Sequence, residues 1–388
     1  MANNIRIALA ASGLEHVPRG VETWTANTAQ VLDRMGEEVT LFKGSGSRRR
    51  PYEAVCRCLR IAGAANRCLD KMIPPQAWHL GLGSRLKRQE TTFALHLIPR
   101  LGWDYDIVHV KEPLVALLLQ RAHKAGLVKA PVILGHGTEE PLWFLKKIDY
   151  VQHLAPHYLE EARRAGIDRA GWTAAGNFVD TEKFHPRGGE RVRGKYEVEP
   201  GSFVVLCVAA VKRHHKRIGY LIQEVKKLED ATDRPVELVV IGASTKETPS
   251  LVEKAKRQLG ENAHFLLDRE AGEMPLLYAL GDVFALCSLK EMFGTVILEA
   301  AASGLPCLVN NHPVVMEVAG AGGEAVQMEQ EGALASALQK YMNEKYRRQK
   351  GQVARRHAVE NFNKEVIVKK YLQMYRKVVC LDRQRRKP

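Results

Sequence analysis

The stretch Val283-Phe-Ala-Leu-Cys-Ser-Leu-Lys-Glu-Met-Phe-Gly-Thr-Val-Ile-Leu-Glu-Ala-Ala-Ala-Ser-Gly-Leu-Pro306 sets the architecture of the chain. Its first four residues are a short continuous apolar run, the signature of a strand buried on both faces of a parallel sheet. Gly294 interrupts the pattern. The apolar and alanine-rich run from Thr295 then reads as a helix that stops near Ser303-Gly304, ahead of Pro306. In parallel α/β sheets, ligands bind where a strand ends and a helix begins, because the free N–H groups and dipole of the helix start favour anions. Two carboxylates bracket this turn, Glu291 in the loop and Glu299 about one turn into the helix. A carboxylate so placed accepts two hydrogen bonds from a vicinal diol such as a ribose. Gly294 lets backbone approach a ligand, and Thr295 is placed to cap the helix. Glu299 stands among Val296, Ile297, Leu298 and Ala300, too apolar a setting for an ordinary surface residue.

The alternation extends outward from this stretch. Apolar runs at 6–11, 38–42, 107–110, 132–135, 148–153 and 172–174 alternate with amphipathic segments in the first half. Runs at 203–209, 237–241, 264–267, 283–286 and 307–310 do so in the second. The pattern predicts an α/β protein with parallel sheets. At 388 residues the chain exceeds one ordinary core, and two domains of roughly 150–200 residues each are expected. The strand series restarts after Gly176-Asn-Phe-Val-Asp-Thr-Glu-Lys-Phe-His-Pro186, and the polar segment 186–200 reads as a linker. The expected division is a first lobe over 1–185, a second over 186–363, and a final helix from 364 with a basic tail to 388. Residues 44–103 are basic, carry Pro74-Pro75 and resist a strand reading. They read as a helical excursion, with contact to an acceptor or a membrane as the functional alternative.

Apolar residues make up 45% and charged residues 26%, which suits a globular protein and not a disordered or membrane-spanning one. No apolar run approaches the ~18 residues of a membrane span. Residues 1–13 lack the basic start and cleavage site of a secretory leader and read as a first strand, so a cytoplasmic location is expected. Of seven cysteines, Cys207, Cys287 and Cys307 sit in apolar runs as small core residues. Cys56 and Cys58 lack a second ligand pair at zinc-like spacing, so no metal is expected. The net charge of +14 admits nucleic acid, an anionic membrane or phosphorylated small molecules as partners. No nucleic-acid-binding signature accompanies the charge, and the basic clusters lack interleaved aromatics, so no nucleic acid is expected. Clusters at 48–50, 85–88 and 347–350 read as solvated faces and that at 383–387 as a frayed tail. The run Val211-Lys-Arg-His-His-Lys-Arg217 differs, because it directly follows a buried strand. His136-Gly137 likewise ends a strand, a position that puts a functional reading of the histidine on an equal footing with a packing one.

Ser288, Glu291, Phe293, Gly294, Glu299, Ala300, Ala302, Gly304 and Pro306 fit a long and specific pattern. On these residues the chain resembles the family 4 retaining glycosyltransferases of the GT-B fold. That fold has two Rossmann-like lobes whose parallel sheets face across a cleft. The resemblance implies that Glu291 contacts the donor sugar and Glu299 the nucleoside ribose, with Phe293, Gly294 and Thr295 completing the donor site. Arg19-Gly-Val-Glu22 resembles the family's Gly-Gly-x-Glu, with Gly20 at the donor phosphate and Arg19 standing in for the first glycine. His136 resembles the family's histidine near the anomeric carbon. Lys216 matches the lysine that clamps the diphosphate. The family's arginine falls on Val211, and Lys212 or Arg213 substitutes for it. Gly176-Asn177-Phe-Val179-Asp180 resembles a hinge motif, with Phe178 in place of a glycine.

The resemblance implies a hexosyl transfer from a nucleotide sugar, UDP being the commonest nucleotide, to a glycan or lipid-linked acceptor. The acceptor hydroxyl attacks from the side on which the diphosphate leaves. His136, Lys216 and Glu291 are the expected catalytic residues. Lysine charge and the helix dipole are expected to hold the leaving group, with no obligatory cofactor or metal. A basic first lobe suits peripheral contact with an anionic inner membrane face. Rival readings are a nucleotide-sugar epimerase or phosphorylase of the same fold, and, from charge alone, a nucleic-acid-binding protein.

Overall fold

The computed structural model describes residues 5–386 apart from Pro18, Pro75 and 78–80. Pro75, Lys387 and the first four residues of the opening segment lie outside the described residues. The chain divides into two compact units, Met1–Gly176 with Val368–Pro388, and Asn177–Ile367.

The first unit holds a seven-stranded parallel sheet in the order β3-β2-β1-β4-β5-β6-β7. The strands are β1 Ile7–Ala11, β2 Val39–Lys43, β3 Glu53–Val55, β4 Ile107–Val110, β5 Val132–His136, β6 Tyr150–His153 and β7 Thr173–Ala174. The order reverses between β1 and β4, which pair in register Ile7 to Ile107. The second unit holds a six-stranded sheet in the order β10-β9-β8-β11-β12-β13. Its strands are β8 Phe203–Val208, β9 Val236–Gly242, β10 Ala263–Leu267, β11 Val283–Leu286, β12 Cys307–Asn310 and β13 Gly323–Val326. Here the order reverses between β8 and β11, paired Val283 to Val205. Central strands are buried throughout, as in Phe203–Val208 and Val283–Leu286, because crossover helices cover both faces.

Two strands escape the sequence reading, β3 and β13. Both lie on a sheet edge. An edge strand needs only one partner and is half covered, so it carries no long apolar run. The excursion 44–103 holds β3, a short helix Ala64–Cys68 and a long helix Arg85–Leu101.

Three of the basic clusters are not simply solvated. Arg88 is 2% exposed. It donates to Asn66 Oδ1 at 2.6 Å and to Leu82 O at 3.1 Å, and pairs with Asp70. Arg347 is buried, donating to Tyr341 O at 2.8 Å and pairing with Asp282 at 3.2 Å. The tail expected to fray continues the last helix, Lys364–Arg385, and Arg386 pairs back to Asp382 at 2.9 Å. Asp282 also accepts from Val204 N at 2.9 Å and binds Arg193 at 3.1 Å, a structural role.

The division between units falls at Gly176–Asn177 and not near 185. Val179 bridges Asn363, and Asp180 binds Lys364 at 3.1 Å, which ties the segment after Gly176 to the second unit. From Val368 onward the last helix packs in the first unit. His109 Nδ1 lies 2.8 Å from Tyr375 Oη, and His123 lies 3.0 Å from Asp382. Trp24 Nε1–H donates to Tyr371 Oη at 3.1 Å, and that hydroxyl donates to Gly176 O at 2.6 Å. Tyr371 is fully buried.

Tyr371→Phe strands a buried indole N–H and a buried carbonyl, each costing about 1–3 kcal/mol. All five tryptophans fall in the sequence of the first unit. Tryptophan fluorescence in a denaturant titration therefore reads this unit alone, and the variant's midpoint is expected to drop clearly. An unchanged midpoint contradicts the anchoring of the helix.

Candidate active site

In the second unit the sheet order reverses between β8 and β11, so the crevice beyond the ends of these two strands is where a ligand fits. Both strands deliver charged residues there. After β8, the run 211–217 folds back on itself, with Ile218 N donating to Lys212 O at 3.2 Å. Lys216 Nζ forms an ion pair with Glu291 Oε1 from the loop after β11. The pair acts on the thiol of Cys207 inside β8, which burial holds up near 12. Lys216 and Glu291, 75 residues apart, thus meet at the strand ends.

The remaining cations of the run divide by role. Arg213 donates its backbone N–H to Glu247 and its guanidinium to Ser250 Oγ at 2.7 Å. Arg217 adopts the left-handed conformation at φ +51°, which costs a non-glycine residue about 1–2 kcal/mol. It is held by a bond to Met328 O at 2.9 Å and by stacking on Tyr220 at 4.8 Å. Lys212 is exposed and has no side-chain partner among the described residues. Of the two expected substitutes for the phosphate arginine, Lys212 is the uncommitted one.

Gly294 is the N-cap of the helix Thr295–Ala302 at φ +85°, and a Cβ there would lie 2.7 Å from Ile297 Cδ1. Conformation and space both demand glycine. Thr295 does not cap the helix as expected: it is the first helical residue, and no side chain caps this end. The left-handed Gly294 makes the turn instead. The backbone N–H groups of Thr295 and Val296 make no hydrogen bond among the described residues. Nearby in sequence, Ser288 is 2% exposed and its hydroxyl has no partner among the described residues. Asn310 on β12 donates to Leu289 O at 2.8 Å and fixes the loop. Phe293 is 4% exposed and lies edge-on to Phe362, with ring centroids 6.0 Å apart. Its side chain packs in the core, so only its backbone faces the loop.

Glu299 is half-buried on the same helix. Tyr278 Oη donates to its Oε2 at 2.7 Å. Burial raises the carboxyl to about 7, against the lowering effect of the tyrosine bond. Oε1 makes no hydrogen bond among the described residues.

The first unit collects another polar set at its strand ends. His136 ends β5 and is 4% exposed. Its Nδ1 lies 3.1 Å from His153 Nδ1, and its Nε2 lies 3.7 Å from Glu140. Burial lowers His136 to about 4 and His153 to about 3, so both are neutral at pH 7. Gly20 opens the helix Gly20–Arg34, and a Cβ there would meet nothing within 4 Å. The tight glycine is Gly13, where a Cβ would lie 2.0 Å from Glu22 Oε1. Arg19 pairs with Glu22 at 2.5 Å and approaches Glu112 at 3.5 Å, so its guanidinium is engaged within the protein.

The sequence reading missed two groups here. Glu112, 2% exposed, accepts from Ser12 N at 2.7 Å and Ser12 Oγ at 2.5 Å, and burial lifts it to about 7. Lys111 lies 4.2 Å from the Trp24 ring, and burial lowers it to about 7. The signal was present: Lys111-Glu112 directly follows a four-residue buried strand. Among the described residues no group of three or more His, Cys, Asp or Glu side chains is arranged to hold a metal. The Cys58 thiol points at Gly44 O, 3.5 Å away.

Residues 190–357 match the model of glycosyl transferases group 1. The N-acetyl-alpha-D-glucosaminyl L-malate synthase of Bacillus anthracis is 26% identical over 210 residues, covering 53% of this chain and 54% of that protein. The chain spans about half the length of the first curated relatives it matches. Sucrose-phosphate synthase from Thermosynechococcus elongatus superposes with a TM-score of 0.75 at 17% identity, covering 97% of this chain and all of that one. Anabaena Alr3699/HepE in complex with UDP and glucose gives 0.71 at 15% identity, covering 95% and 98%. These likenesses show the fold: two Rossmann-like α/β units with parallel sheets, the GT-B fold.

Gly294→Ala is expected to destabilise the second unit by about 1–2 kcal/mol through the left-handed backbone alone. The second unit lacks tryptophan, so scanning calorimetry is the measurement. A melting profile identical to the parent chain contradicts the turn geometry.

Proposed function

We propose that this chain, whose residues 190–357 match the model of glycosyl transferases group 1, transfers a hexosyl group from a nucleotide sugar to a glycan or lipid-linked acceptor with retention of configuration. The observation that carries the reading is the Lys216–Glu291 pair at the point where the second sheet reverses its order, beside a helix start with uncommitted N–H groups. A diphosphate placed there accepts from the N–H groups of Thr295 and Val296 and from Lys216, with Lys212 as the second cation. With Lys216 on phosphate, the Glu291 carboxylate accepts hydrogen bonds from sugar hydroxyls. Glu299, oriented by Tyr278, offers Oε1 to the ribose diol. Gly20 marks an open approach in the first unit, and His136 is a neutral hydrogen-bonding group for a sugar hydroxyl.

As the anomeric bond breaks, negative charge develops on the diphosphate. Fixed donors aimed at that charge lower the barrier, since they need no reorganisation during the step. The acceptor hydroxyl attacks from the face on which the diphosphate departs and passes its proton to the leaving oxygen. Nothing in this scheme requires paired carboxylates for a double displacement. No cofactor enters it, the lysines and the helix dipole supplying the positive charge. UDP-glucose is the first donor to test, because UDP and glucose occupy the solved Anabaena neighbour. A relative named alpha-galactosylglucosyldiacylglycerol synthase makes glycolipid acceptors the first class to try. No helix among the described residues is long and apolar enough to cross a membrane. Contact with an anionic inner membrane face is therefore proposed as peripheral.

Lys216→Ala is expected to lower kcat/KM by roughly a hundredfold or more, the scale for removing one fixed donor to a developing anion. Its melting temperature is expected to fall somewhat, because Glu291 loses this partner, so turnover is compared well below the melting transition. Released nucleotide is measured with and without acceptor. Sugar phosphate formed from inorganic phosphate indicates a phosphorylase instead, and near-normal turnover overturns the site.

The raised carboxyl of Glu299 adds a pH signature. Its ionised form is the better acceptor for two hydroxyls, and it is lost as pH falls through about 7. Donor affinity is expected to rise from about pH 6 to about pH 8, and Glu299→Gln to flatten that rise. A slope that survives in the glutamine variant belongs to another group.

A further inference from the structure

One cavity lies apart from the residues assigned above. Its volume is about 490 Å³, and Gly46, Ser47, Val55, Arg57, His96 and Arg100 line it. All six belong to the excursion 44–103 for which the sequence found no clear role.

The walls are fixed. Gly44 follows β2 and lies so close to the end of β1 that a Cβ would stand 1.9 Å from Ser12 O. Gly46 sits at φ +81°, with its Cβ position 2.9 Å from Glu15 Cγ. The Gly44–Gly46 loop therefore cannot shift without losing that fit. Elsewhere in the lining His96 Nδ1 donates to Arg57 O at 2.6 Å, and Arg100 donates to His96 O at 2.6 Å. The first bond ties the segment after β3 to the helix Arg85–Leu101, and the second holds Arg100 within that helix.

The lining contains donors and no carboxylate. Two nearby acids, Glu15 and Glu53, are already neutralised. Lys43 reaches them at 3.0 Å and 2.7 Å, and Arg49 reaches Glu15 at 3.1 Å. Among the described residues the backbone N–H groups of Gly46 and Ser47, the Ser47 hydroxyl and the Arg57 guanidinium make no hydrogen bond. Arg100 spends only one of the five N–H donors of its guanidinium on His96 O. Two guanidiniums with adjacent backbone N–H groups match the oxygens of a phosphoryl group, which guanidinium binds in a two-pronged manner.

We propose that this cavity binds the phosphoryl group of an anionic ligand. Arg57 and Arg100 clamp the oxygens, and the Gly46-Ser47 backbone N–H groups donate to them as well. Val55 is the apolar residue of the lining, against which a further portion of the ligand rests. The proposal does not depend on the glycosyl-transfer reading, because none of these residues belongs to the donor site.

The test uses the full chain carrying Lys216→Ala with Lys212→Ala, which removes both cations assigned to the donor diphosphate. Inorganic pyrophosphate is titrated into it by calorimetry. Binding is expected, and adding Arg57→Gln with Arg100→Gln is expected to weaken it roughly tenfold or more. Arg48→Gln with Arg50→Gln serves as control. Both arginines are exposed and bond locally to Pro51 O and Tyr52 Oη, outside the lining. The control is expected to keep its affinity within about twofold. Circular dichroism melts confirm that each variant is folded. A second arm sediments the same proteins with phosphatidylcholine vesicles, with and without phosphatidate. Phosphatidate-dependent sedimentation lost only with Arg57 and Arg100 identifies a lipid headgroup as the source. An effect on pyrophosphate alone identifies a soluble phosphorylated ligand. Absence of both bindings, or equal losses in the clamp and control variants, overturns the proposal.

Discussion

Every strand pairing within the two sheets is parallel. Much else follows from that constraint. A parallel pair needs a crossover between its strands, and the crossover helices cover both faces of the sheet. The strands themselves are then nearly all apolar, and polar residues are pushed to the strand ends. Since all strands of a sheet run one way, those ends gather on one edge. Ser12, Lys111, Glu112, His136 and His153 gather so in the first unit, and Lys216, Glu291 and Asn310 in the second.

Burial at these edges sets the protonation of the groups. Glu112 and Glu299 are raised to about 7, and Lys111 is lowered to about 7. Each sits where a small change of environment alters its charge, a property of residues that exchange protons or hydrogen bonds with a ligand. His136 and His153 lie far on the neutral side, which suits hydrogen bonding and not charge. The Lys216–Glu291 pair solves a different problem. It keeps a cation and an anion together at a strand end, where either alone would pay for its desolvation.

The basic run after β8 shows why composition is a poor guide to role. Six residues carry two lysines, two arginines and two histidines. The structure commits Arg213 to Ser250 and Arg217 to Met328 and Tyr220, Lys216 pairs with Glu291, and Lys212 projects outward. Net charge likewise hid the contrast between Arg88, buried among hydrogen bonds, and Arg57, exposed in a cavity wall.

The sequence by itself determined the parallel α/β class, the positions of the central strands and the loop that carries Glu291, Gly294 and Glu299. It could do so because apolar periodicity and glycine conformation are local properties. It did not determine the edge strands β3 and β13, the turn made by Gly294 in place of a Thr295 cap, or the inward packing of Phe293. Nor did it join Tyr278 to Glu299, or Ser12 to Glu112 across 100 residues. Only tertiary structure decides these, because burial and pairing depend on which segments the sheet brings side by side, and no single segment records its neighbours.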